Sequence, residues 1–205
     1  MQWYRRLAEV PGVDYPGSAG VNRTWLPGYN LKPEINRYDF DGRRSEHLSW
    51  KHADGITSQS PASQWNGQLQ EGNVSPQAIL QHLHEVLELP GTPSDYHFAI
   101  QGCFERLWQY RRDHPWILKE IERLCWLDIR LIEAIPAILQ FHQQDGLVSY
   151  ARSLAFERLI RMYERNGYLT EALEVAHRAT RFHADDGILK PLQERLARLE
   201  AEHDN

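Results

Sequence analysis

The sequence predicts an all-α fold: a short array of helical hairpins preceded by a loop-rich, aromatic N-terminal arm. Backbone punctuation is concentrated at one end, with 8 of the 13 glycines and 5 of the 11 prolines lying in residues 1–75. Those same 75 positions hold only 12 Val, Ile, Leu and Phe, too few for the segment to offset its ordering entropy with a core of its own. From Ser75 onward, helix starts, apolar periods and helix stops follow one another. The expected organisation is therefore an arm, 1–75, packed on a helical repeat-like domain, 76–205.

The arm is not featureless. Trp3, Trp25, Trp50 and Trp65, with Tyr4, Tyr15, Tyr29, Tyr38 and Phe40, are large rigid surfaces, each able to bury about 150–250 Å² against a neighbour. They are expected to lie on the helical body, and the arm is the expected route to self-association or to contact with a partner.

Each helix is signalled in turn. Ser75–Pro76 is an N-cap followed by proline at the first helical position, and Ile79, Leu80, Leu83 and Leu87 recur at helical spacing until Leu89–Pro90–Gly91. Thr92 with Asp95 three residues on is a capping-box variant, opening a helix striped by Ile100, Cys103, Phe104 and Leu107. Asp113–His114–Pro115 break that stripe. The next helix is apolar on two faces (Ile117, Ile121, Leu124, Cys125, Ile129, Ile132) and should be central. Pro136 demands a kink or a new start, with a further helix expected to end near Gly146. Helices over about 154–165, 169–182 and 189–202 complete the set, the last with Leu189, Leu192, Leu196 and Leu199 on one side.

Phe156, Leu159, Tyr163, Gly167, Ala172, Ala176 and Ala179 fall in the text FERLIRMYERNGYLTEALEVAHRAT. The segment from Ser153 to Ala184 resembles a tetratricopeptide repeat, a helical hairpin with large residues on its first helix and a small-residue face on its second. Ala184 stands where the family has proline and Ile160 where it has a small residue. One period earlier, Ile129, Glu133 and Ile138 replace the expected tyrosine, glycine and alanine, so a single repeat is visible. The helix that follows is similar to the polar-backed capping helix of such arrays. The resemblance implies a peptide- or protein-binding face on the first helix, at Leu154, Glu157, Arg161, Glu164 and Arg165. Arg161 and Arg165, four apart, would meet an acidic partner, unless Glu157 and Glu164 neutralise them along the helix.

Chemistry-bearing clusters are sparse. His47, His52 and Asp54 are close together in the loop-rich arm and could hold a divalent ion or move a proton. They define the alternative function, a metal-dependent hydrolase or nuclease. The five-residue separation of His47 and His52 is not the four that places two imidazoles on one helix face. His82 and His84 point in different directions on their helix, and Cys103 and Cys125 sit in apolar stripes where thiols are usually inert. No GxxxxGKS/T, GxGxxG, GxSxG or HExxH occurs, and no cofactor or resident metal is expected. A third, weaker function is nucleic-acid binding through the arginines of 106–130, interleaved with Trp108, Trp116 and Trp126. Acidic residues neutralise that stretch, and the whole chain carries 23 Lys and Arg against 28 Asp and Glu, a net charge of −5. A protein or peptide partner is therefore favoured over nucleic acid. No run of about 20 apolar residues is present for a membrane span, and the start MQWYRRLAEVPG lacks the apolar core of a secretion signal, so the expectation is a cytoplasmic, non-enzymatic interaction module.

Overall fold

The computed structural model describes residues 2–40, 43–69, 72, 74–142, 148–182 and 187–203; Gly146 and Ala184 lie outside them. The chain forms two compact units, Met1–Ile135 and Pro136–Asn205.

The first unit corrects the all-α expectation. Residues 34–57 fold into a three-stranded antiparallel sheet in the order β1 (Glu34–Phe40), β2 (Arg43–His52), β3 (Gly55–Thr57). Counting aliphatic residues missed it because this sheet needs few. Along β2, Leu48 and Trp50 are buried while Lys51 is exposed, the period-2 alternation of a half-buried strand. Trp50 is fully covered, with the Trp3 ring edge-on at 5.7 Å. Phe40 pairs with Arg43 and His52 with Gly55, so β2 and β3 are joined by the two residues Ala53–Asp54; Asp41 and Gly42 lie outside the described residues, and Asp-Gly between strands is a strong hairpin signal in sequence. Arg37 and Glu46 face each other across β1 and β2, Nε to Oε1 at 2.9 Å.

Helices follow: α1 (Pro61–Asn66), α2 (Pro76–Leu87), α3 (Pro93–Trp108) and α4 (Trp116–Ala134). The Ser75 hydroxyl accepts from Ala78 N–H at 3.2 Å. Thr92 and Asp95 complete a reciprocal capping box, with Asp95 N–H donating to Thr92 Oγ1 at 3.3 Å and Thr92 N–H to Asp95 Oδ2 at 2.7 Å. The core of this unit lies where α2, α3 and α4 meet, around Ile79, Leu83, Ile100, Phe104, Ile121 and Leu124. Leu7, Val10 and Leu26 of the arm are buried as well. Trp25 departs from the expectation for the arm's aromatics and is 84% exposed; the side chains of Tyr38 and Phe40 lie outside the described ones.

The short turn from α2 to α3 binds the arm. Tyr4 and Gly91 exchange both backbone hydrogen bonds, at 2.8 and 3.0 Å, and Ala62 N–H donates to the Pro90 carbonyl at 2.9 Å. The Tyr96 hydroxyl donates to the Leu89 carbonyl at 2.9 Å. Arg23 reaches the Glu88 carbonyl through Nε at 2.8 Å, and its Nη2 donates to the carbonyls of Arg5 and Tyr29 at 2.7 and 3.1 Å. The buried Glu88 carboxylate accepts from Ser18 N–H at 2.7 Å and from Arg6 Nη1 at 3.3 Å.

In the second unit the helix expected between Pro136 and Gly146 is absent among the described residues. A residue before proline is pushed out of the α region, and Ile135, at φ −136° and ψ 76°, ends α4. A 3₁₀ turn (Pro136–Ile138) then leads into β4 (Gln140–His142), antiparallel to β5 (Val148–Tyr150). Three helices complete the unit: α5 (Leu154–Arg165), α6 (Leu169–Ala179) and α7 (Leu189–His203). Gly167, at φ 83°, supplies the left-handed residue that closes α5 and turns the chain into α6. Phe156 stacks on Phe182 at 5.8 Å, and Tyr150 meets Phe182 edge-on at 6.2 Å. On α7 Leu192 is buried, whereas Leu199 is 47% exposed. No described helix of the chain is long and apolar enough to cross a membrane.

Gly91 is a sensitive position. A Cβ there would lie 2.8 Å from the Ala62 Cβ and 3.3 Å from the Tyr96 ring, while both backbone groups are tied to Tyr4 and cannot give way. Gly91→Ala is expected to lower the free energy of unfolding by about 1–3 kcal/mol. Urea unfolding with an unchanged slope and a lower midpoint is the expected observation; an unchanged midpoint would show that the turn can relax.

Candidate functional site

Of the three candidates of the arm, His47 and His52 are strand residues and Asp54 lies in the tight turn that follows. His47 sits on β2 opposite Asn36 and is exposed; His52 ends β2 opposite Gly55 and is half-buried; Asp54 occupies the turn to β3 and is exposed. Odd and even positions of a strand face opposite ways, and five residues at about 3.3–3.4 Å each span about 17 Å. The structure therefore separates His47 from His52, whereas ligands of one ion sit within about 2.0–2.6 Å of it. Among the described residues no group of three or more His, Cys, Asp and Glu could hold a metal ion.

The arginines of 106–130 act locally. Arg111 lies over the Trp108 ring at 4.2 Å and donates through Nη1 to the Trp108 carbonyl at 2.6 Å. Arg123 Nε donates to Glu120 at 2.9 Å, and Arg130 stands 3.8 Å from Asp14. Two adjoining cavities of about 520 Å³ each lie between the arm's 14–21 segment and the helices, one against α4 and the other against α2 and α4. They share Tyr15, Pro16, Glu120 and Arg123 as walls. Burial raises the Tyr15 pKa and lowers that of His84, so the groove presents neutral polar groups between pairs of opposite charge.

A buried pair escaped the sequence reading. His97 Nδ1 lies 2.7 Å from Asp128 Oδ1, joining α3 to α4, with the two residues 3% and 0% exposed. Asp128 Oδ2 has no hydrogen-bond partner among the described residues. Burial raises the Asp128 pKa, and the hydrogen bond and charge of His97 oppose the rise. Neither residue lines the two cavities above, and the pair fixes how the two helices meet. Its signal in the sequence is the lone carboxylate in the apolar run Leu124–Ile132.

On α5 the predicted face is partly rearranged. Leu154 is half-buried. Glu157 accepts from Arg152, preceding the helix, and Glu164 accepts from Arg195 Nη1 of α7 at 3.0 Å. The intrahelical neutralisation considered from the sequence therefore does not form. Arg161 and Arg165 are exposed and have no ion-pair partner among the described residues. One helical turn apart, about 6 Å along the axis, they present two forked donors on one face. No protein-family model, curated protein or solved structure matches the chain.

The buried pair yields a pH prediction. A carboxyl whose pKa is raised by folding contributes stability that is complete below its unfolded value, about 3.9, and lost as pH rises through the folded value. Asp128→Asn keeps the acceptor for His97 and removes the ionisation. Its stability relative to the unaltered protein should grow as pH rises from about 4, measured by urea unfolding across a pH series; a constant difference would contradict this. Asp128→Ala, which leaves the buried His97 Nδ1 without its partner, should cost about 1–3 kcal/mol.

Proposed function

We propose that the protein is a non-enzymatic interaction module that captures an acidic segment of a protein partner on the exposed face of α5. The observation that carries this reading is the pair Arg161 and Arg165, exposed and without an ion-pair partner among the described residues, beside carboxylates that are engaged with Arg152 and Arg195. Like charges four apart on a helix repel by about 0.2–0.5 kcal/mol, and an acidic ligand relieves that repulsion. Arginine suits the task because its planar donors meet a carboxylate bidentately. The α5–α6 hairpin also carries the resemblance to a tetratricopeptide repeat, in which the first helix supplies the binding face.

Poly-glutamate serves as the probe. Fluorescence titration of the full chain at low salt is expected to show saturable binding, at least tenfold weaker for Arg161→Glu/Arg165→Glu, whose free energy of unfolding in urea should change by no more than about 0.5 kcal/mol. The control Lys190→Glu/Arg198→Glu makes the same charge change on α7, where Lys190 is 81% exposed. It should bind as the unaltered chain does; an equal loss in both variants would reduce the effect to net charge and overturn the α5 assignment.

A further inference from the structure

We propose that the free edge of β1 is a self-association surface, on which a second copy of the chain lays its own β1 antiparallel, with Tyr38 opposite Tyr38 across a two-fold axis. The strands are ordered β1, β2, β3, so β1 and β3 are the edges of the sheet. An edge strand presents unpaired N–H and C=O groups that another strand can take up, and shortness, bulges or proline are the usual ways of blunting it. β3 is blunted by its length of three residues. β1 has seven, with no proline among them, and pairs one-to-one with β2 from Glu34 to Phe40 without a bulge. Glu34, Ile35, Arg37 and Asp39 are all exposed.

The turn from β2 to β3 decides which backbone groups are free. His52 and Gly55 are partners separated by only two residues, and a pair so close to its turn exchanges both N–H···O bonds. Bonding direction alternates along a strand, so the even-numbered residues of β2 bond toward β3 and the odd-numbered ones toward β1. Those odd-numbered residues are the partners of the even-numbered residues of β1. The N–H and C=O groups of Ile35, Arg37 and Asp39 therefore point away from the sheet, and a second strand must place its own free residues opposite these three.

Charge selects the register, because opposite charges directly across two strands attract and like charges repel. With Arg37 on the axis, Arg37 faces Arg37, and with Asp39 there, Asp39 faces Asp39; parallel in-register alignment repeats both conflicts. With Asn36 on the axis, Arg37 faces Ile35 and no charge is matched. With Ile35 there, Arg37 faces Pro33, which has no N–H to give. Tyr38 on the axis sets each Arg37 opposite the Asp39 of the other copy, every such pair exchanging both backbone bonds. Within one chain Arg37 already stands opposite Glu46, Nε to Oε1 at 2.9 Å, and Asp39 stands opposite Arg44. The register thus completes a row of alternating sign across four strands: Glu46 and Arg37 of one copy, then Asp39 and Arg44 of the other.

Sedimentation equilibrium of the full chain at low salt, up to about 0.1 mM, is expected to show a reversible step from 24.0 kDa to twice that mass. Arg37→Asp sets carboxylates against each other across the axis and Asp39→Arg sets guanidiniums against each other, so each variant alone is expected to dimerise at least tenfold more weakly. Both positions are exposed, and the urea midpoints should stay where they are. Mixing the two variants matches every acid of one chain with a base of the other. A fluorescently labelled Arg37→Asp chain titrated with Asp39→Arg is therefore expected to recover the unaltered affinity within about threefold. Glu34→Arg makes the same charge change at a residue that this register leaves opposite Gly42, and should capture the labelled chain at least fivefold more weakly than Asp39→Arg does. An unaltered chain that stays monomeric throughout, a dimer that neither single variant weakens, or capture by Glu34→Arg equal to that by Asp39→Arg would overturn the proposal.

Discussion

Backbone polar groups buried in a turn must find partners, and the turn between α2 and α3 shows how much structure that demand can dictate. Glu88, Leu89, Pro90 and Gly91 are all buried. Their carbonyls are taken by Arg23, Tyr96, Ala62 and Tyr4 in that order, and the Gly91 N–H goes back to Tyr4. Pro90 has no N–H to satisfy. Three of these four partners come from the first 75 residues, so the turn between two helices is complete only with the arm in place. The Glu88 side chain extends the same logic, tying Arg6 and Ser18 to the end of α2.

This division of labour explains which parts were legible in the sequence. A helix cap is a local device, and Ser75, the Thr92–Asp95 box and Gly167 all act within four residues of where they stand. The arm's order depends on contacts such as Arg23 to Glu88, 65 residues apart, and nothing in a spacing announces which carbonyl an arginine will find. The sheet failed to register for a different reason. Its apolar face rests on Leu48 and one fully buried tryptophan, and counting aliphatic residues gives such a tryptophan no weight. Two Asp-Gly dipeptides, at 41–42 and 54–55, were the local signals available, and they are weak until a strand is recognised on either side.

Site residues divide in the same way. Arg161, Arg165, Glu157 and Glu164 could be placed on one helix face from periodicity alone, because α5 is regular from Leu154 to Arg165. Their pairing could not, since the partners that Glu157 and Glu164 take up, Arg152 and Arg195, lie outside that helix. His47 and His52 illustrate the opposite error: a five-residue interval carries little meaning in a loop, whereas on a strand it sends two side chains to opposite faces.

The arginines show how net charge misleads about binding. An overall charge of −5 argues against a polyanion as the general partner but says nothing about any one cation. Arg23 donates to three carbonyls and Arg6 to a buried carboxylate, so both are structural, and truncating either would leave buried acceptors unmatched. Arg123 and Arg130 stand beside carboxylates in their own neighbourhood, where an exposed pair contributes little and screens its own field. Arg161 and Arg165 differ because the carboxylates within reach on α5 are directed elsewhere. That arrangement keeps two donors solvated and mutually repelling, at a cost of about 0.2–0.5 kcal/mol that the acidic ligand proposed above would relieve. The binding face proposed on α5 would be set by the routing of neighbouring carboxylates, which composition does not record and the pairing pattern does.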